Sequence, residues 1–168
     1  MREEVSFVPS NFPAAVVDHY GATPVIEKVS FDGIRPDEVV VKVVSSGICH
    51  TDEVARAGDY PVPTPIVLGH EGAGIVVAIG EEVTDVSLGD HVVMSFVSCG
   101  VCSTCLAGRI ALCQRAFELN FLSTRPDGSS TLRRADGRTL HGRFFGQSSH
   151  AAYALCPQSS LVPIRKDF

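Results

Sequence analysis

The sequence predicts one mainly β domain, a barrel or a sandwich, and three observations carry that prediction. Short runs rich in valine and isoleucine recur along the whole chain, and Gly, Pro and Asp punctuate them. No long amphipathic helix separates one run from the next, which argues against alternating βα units. The length of 168 residues suits one compact domain, since domains usually run to about 100–150 residues. With 45% hydrophobic and 20% charged residues, the chain has the balance of a protein that forms a packed core.

In chain order, the runs that read as strands cover 14–18, 25–30, 38–46, 72–80, 91–96 and 150–155. One short helix is expected over 51–57. Thr51 or Asp52 is its N-cap, the acids Asp52 and Glu53 lie in its first turn, and Gly58 stops it. Over 115–146 the sequence turns polar and glycine-containing, which predicts a long loop or small lobe. Its arginines 133, 134, 138 and 143 suit a solvated face; phosphate binding is the alternative. The run from Gly72 through Gly74 to Gly80 looks like a nucleotide-binding loop. However, the third glycine of that fingerprint falls at Val77 and the run lies inside a strand, so these glycines read as close-packing positions.

The net charge of −5 argues against nucleic acid and anionic membrane surfaces, which need a basic field. No segment is long enough to span a bilayer, and the N-terminus has no apolar run after a basic start. A cytoplasmic location follows as the expectation. Six cysteines in a reducing compartment then point to metal rather than disulfides. Cys99, Cys102, Cys105 and Cys113 lie within fifteen residues. Two C-x-x-C steps turn tightly enough to bring sulfurs within about 2.3 Å of one zinc ion, with Gly100 and Gly108 easing the bends. The alternatives are redox cysteines or a buried thiol cluster, but a redox C-x-x-C uses one pair beside a βαβ pattern. A four-thiolate site is closed, so any chemistry needs a second, open one. Cys49 and His70 are twenty-one residues apart and are flanked by the carboxylates of Asp52 and Glu71. Carboxylates in such positions commonly orient ligand histidines.

Gly-Ile-Cys49-His50-Thr51-Asp52, Gly-His70-Glu71-Gly-Ala-Gly and the four-cysteine loop stand in the order found in zinc-dependent medium-chain alcohol dehydrogenases, which the chain resembles over nearly its whole length. Phe144-Phe-Gly-Gln-Ser-Ser-His-Ala-Ala-Tyr is most similar to the aryl-alcohol (benzyl alcohol) branch. The resemblance implies a GroES-like catalytic domain over 1–168, a partly open barrel with short helices and a structural zinc loop over 99–113. It implies that Cys49 and His70 ligate a catalytic zinc, with Glu71 able to swing in and Asp52 partnering His70. The family's third ligand, a cysteine, and the Rossmann domain that binds NAD are expected beyond Phe168, so these residues alone are expected to be inactive.

By the same resemblance, Thr51 takes the proton of a small-molecule alcohol that leaves as an aldehyde. The family's relay histidine is replaced by Val54, so His50 serves either as the outlet or as a contact to the cofactor pyrophosphate. Tyr60, Phe96, Phe144 and Phe145 are candidates to line an aromatic pocket, the alternative being ordinary core. Self-association as a homo-oligomer is compatible with the family. The competing class is a zinc-stabilised scaffold module without chemistry, but such a module has no use for an open site beside the Thr51 hydroxyl.

Overall fold

The computed structural model describes residues 8–167. Residues 1–7, where no export signal was read, and Phe168 lie outside the described residues. Among the described residues, ten antiparallel strands form two five-stranded sheets. The first takes the order β4 (Ile66–Val67), β1 (Phe12–Val17), β2 (Val25–Phe31), β7 (Leu132–Arg134), β8 (Thr139–Leu140). The second runs β10 (Leu161–Ile164), β6 (His91–Met94), β5 (Gly72–Ile79), β3 (Glu38–Ser46), β9 (Tyr153–Pro157). A bridge between Ala14 and Ala151, with Ala15 N–H donating to the His150 carbonyl at 2.9 Å, joins the sheets into the partly open barrel. No helix among the described residues is long and apolar enough to cross a membrane.

Period-two burial explains the strands. On β5, residues 72, 74, 76 and 78 face inward and their neighbours are half-buried. Val39, Val41, Val76, Val92 and Met94 make one core cluster, and Phe12, Ala14, Val16, Val29 and Leu132 another. The glycines of β5 are close-packing positions, as the sequence predicts. A Cβ on Gly74 would collide with the Lys42 carbonyl of β3, where β3 already carries register shifts. Gly74→Ala is expected to lower stability by about 1–3 kcal/mol through overpacking. An unchanged denaturation midpoint would remove that role.

The segment 115–146 is where the structure corrects the sequence. Of the two readings, a long loop or a small lobe, the long loop is excluded, since the segment contains α3 (Ala116–Phe121) and the β7–β8 hairpin, which turns through Asp136-Gly137. Arg133 and Arg138 pair at the surface with Asp32 and Asp136. Arg134 and Arg143 are buried rather than solvated: Arg134 meets Asp18 at 2.6 Å and Arg143 meets Glu38 at 3.1 Å. Two further helices, α1 (His50–Ala57) and α2 (Ser103–Leu106), accompany α3 where one was expected. Cys49, not Thr51 or Asp52, is the N-cap of α1, because Asp52 sits at N3 and bonds back to it. The strand expected from residue 150 begins at Tyr153, since 150–152 are used in joining β1. β6 ends at Met94, so Phe96 lies beyond it.

Two candidate metal centres

The four-cysteine lobe is built from tight turns. Cys102 caps α2, and a 3₁₀ turn over Ile110–Leu112 folds the chain back to deliver Cys113. The four sulfurs lie within 4.8 Å of one another. Cys99 and Cys105 are 3.9 Å apart, close to the edge of about 3.8 Å that a tetrahedron with 2.3 Å Zn–S bonds requires. Backbone N–H groups already point at the sulfurs: those of Cys99 and Arg115 at Cys113 Sγ, and that of Cys102 at Cys99 Sγ, at 3.3–3.4 Å. The Thr104 hydroxyl and the amides of Gln114 and Cys105 lower the Cys102 thiol to about 5, whereas burial pushes Cys105 up to about 11. No disulfide competes, since all six cysteines are free. Four soft donors at tetrahedral spacing fit a closed zinc site, and one with no room for substrate.

The second centre forms where β3 runs into α1. Cys49, His70 and Glu71 bring a ligand atom each to within 4.8 Å of one another, with Glu71 at the exposed side. Asp52 organises them. Its Oδ2 accepts the Cys49 N–H at 3.0 Å, and its Oδ1 accepts the Gly69 N–H at 2.9 Å and faces His70 Nδ1 at 3.1 Å. Burial raises the Asp52 carboxyl, but the bonds from His70, Cys49 and Gly69 outweigh it and the net shift is downward. The Asp52 bond raises His70 in turn. The Thr51 amide and then its hydroxyl bond the Cys49 sulfur and lower that thiol. With Nδ1 committed to Asp52, Nε2 is left for a metal, so the donors fit a zinc site open on one side.

Aromatic rings back this centre. Phe145 stacks on His70 with centroids 4.6 Å apart, held there by a left-handed backbone at φ 50° that costs a non-glycine residue about 1–2 kcal/mol. Phe144 is fully buried and meets the same imidazole edge-on at 5.6 Å, so it packs behind the site as core. Tyr60 is at the surface and reaches the others through Phe121. Phe96 is half-buried and makes no ring contact with these residues. His50 is exposed at the first position of α1.

A family described as the alcohol dehydrogenase GroES-like domain matches residues 35–166. The chain belongs to that family. It is 42% identical to a geraniol dehydrogenase of Castellaniella defragrans over 99% of this chain and 44% of the relative. A zinc-binding domain protein of the alcohol dehydrogenases from Burkholderia ambifaria superposes with a TM-score of 0.91 at 45% identity, covering 94% of this chain and 42% of that one. The benzyl alcohol dehydrogenase of Acinetobacter calcoaceticus does so with a TM-score of 0.87 at 42% identity, covering 95% and 42%. The chain thus spans less than half the length of these relatives.

Two residues of this alcohol dehydrogenase domain escaped the sequence reading. Gln147 holds His70 from behind: its Nε2 donates to the His70 carbonyl at 3.0 Å, and its Oε1 accepts the Gly72 N–H at 3.1 Å. It stands inside the Phe144–Tyr153 stretch that carries the resemblance, but no local pattern there assigns it a role. Phe121 links Tyr60 to Phe145. Its signal was present, since Phe117 and Phe121 are four apart and stack on one face of α3.

Proposed function

We propose that this domain serves an NAD-dependent dehydrogenase that oxidises primary alcohols, with aromatic ones preferred, to aldehydes. The convergence of Cys49, His70 and Glu71 on one point, with the Thr51 hydroxyl against the Cys49 sulfur, carries the reading. Zinc held there supplies a Lewis acid that makes a hydroxyl acidic near neutral pH. Asp52 fixes the His70 tautomer, and Thr51 would accept the hydroxyl proton. Val54, one turn further along α1, offers no imidazole to continue the relay. His50, at the first position of α1, would either take that proton or contact a cofactor phosphate. NAD, which a Rossmann domain outside these 168 residues would hold, would supply the hydride acceptor, in keeping with the β-strand character of the glycine run over 72–79.

Rings lead from the surface to the site. Tyr60 contacts Phe121 at 5.3 Å, Phe121 contacts Phe145 at 5.1 Å, and Phe145 covers His70. An aromatic alcohol would extend that series, and the names of the benzyl alcohol and geraniol dehydrogenases support a bulky unsaturated substrate. A form carrying the nucleotide-binding domain is expected to oxidise benzyl alcohol with a higher kcat/KM than ethanol, and Phe145→Ala to lower the ratio about ten-fold. Preference for ethanol would overturn the aromatic assignment. The 168 residues alone are expected to form no NADH, and turnover by them would place the NAD site inside this chain.

A further inference from the structure

Glu38, the first residue of β3, is buried among arginines. Arg125 spends its donors fully. Its Nε and Nη2 bond the two Glu38 oxygens at 2.7 and 2.8 Å, and the carbonyls of Ser130, Gly33 and Asp32 take the rest. Arg143 is only 5% exposed, yet it makes a single hydrogen bond among the described residues, from Nη1 to Glu38 Oε1 at 3.1 Å. Its Nε and Nη2 are left over. Those two nitrogens form the edge of a guanidinium that grips an oxyanion with two parallel bonds.

A cavity of about 110 Å³ opens on this arginine, walled by Glu118, Leu119, Leu122 and Thr124 together with Arg125 and Arg143. At about 30 Å³ per water, that is room for three or four waters or one tetrahedral oxyanion. The nearby carboxylates are already committed. Glu118 is paired with Arg115 at 2.5 Å and Asp127 with Arg35 at 2.5 Å, while Asp37 is exposed to solvent. One buried carboxylate therefore serves two buried guanidiniums. Cys156, fully buried and pushed up to about 12 by that burial, stays a neutral thiol and adds no countercharge.

We propose that this cavity binds a small free oxyanion of sulfate or phosphate size on the Nε and Nη2 edge of Arg143. None of the residues that wall the cavity is a donor in either metal centre, and the proposal does not depend on the catalytic reading. Calorimetric titration of sulfate into the zinc-loaded protein, with chloride holding ionic strength fixed, is expected to show one saturable site per chain. Arg143→Met should weaken it at least ten-fold, and Arg138→Met, on the surface hairpin, should leave it unchanged. Selenate soaked into crystals of the unaltered protein should give an anomalous peak within hydrogen-bonding distance of Arg143, which decides the matter even if Arg143→Met fails to fold. No peak at Arg143, no saturable heat, or equal affinity in a folded Arg143→Met protein would mean that water alone satisfies the arginine, and the proposal would fall.

Discussion

Replacing Cys105 by serine is expected to strip the thiolate lobe of its zinc and disorder residues 99–113 while the two sheets stay folded. Zinc bound by four thiolates contributes its binding energy directly to local folding, about 10–16 kcal/mol in small zinc-binding peptides near pH 7. This lobe has little else to hold it. Val101, Leu106 and Leu112 are each more than 60% exposed, and only Cys105 and Cys113 of the four sulfur residues are buried. The unaltered chain should keep one zinc through dialysis against a mild chelator. Its second centre has three donors, one of them the exposed Glu71, and should lose metal first. Metal counting by mass spectrometry and limited proteolysis read both results. Unchanged zinc content and unchanged cleavage in Cys105→Ser would refute the closed site.

Glu38→Ala should produce the largest loss of global stability of any single substitution considered. The carboxylate is 1% exposed and is shared by Arg125 and Arg143, which are 3% and 5% exposed. Its removal strands two buried cations, and breaking a buried pair from one side typically costs about 3–5 kcal/mol. Against a usual total of about 5–15 kcal/mol, that is a large share. A denaturant midpoint within experimental error of the parent would show that the arginines find other partners.

The parts legible in the sequence share one property: a local pattern reports them. Runs rich in valine and isoleucine marked β3 and β5, and the C-x-x-C spacing marked the thiolate lobe, whose sulfurs converge as that spacing requires. Cys49 and His70 were marked as a candidate pair by the carboxylates of Asp52 and Glu71 beside them, but their roles as ligands came through resemblance, because nothing local brings together two residues twenty-one apart. What failed was the segment whose burial is polar. On β7, Leu132 and Arg134 face inward and Arg133 outward, a period of two written partly in arginine, so it read as a long loop or small lobe with a solvated arginine face. The Asp136-Gly137 pair was the available hairpin signal. Partners remote in sequence, Asp18 for Arg134 and Glu38 for Arg143, are what make those positions interior, and no window along the chain contains both members of either pair.

Asp52 has one side chain and three clients: the first turn of α1 through Cys49, the loop before the ligand through Gly69, and the imidazole of His70 itself. A residue so subscribed has little freedom to drift. Exchange it for asparagine to retune the metal's affinity and the helix start is disturbed as well; reshape the helix start and the imidazole loses its bearing. Variation is therefore channelled away from this corner and toward positions such as Tyr60, which stands at the surface and whose ring meets only that of Phe121 among the described residues.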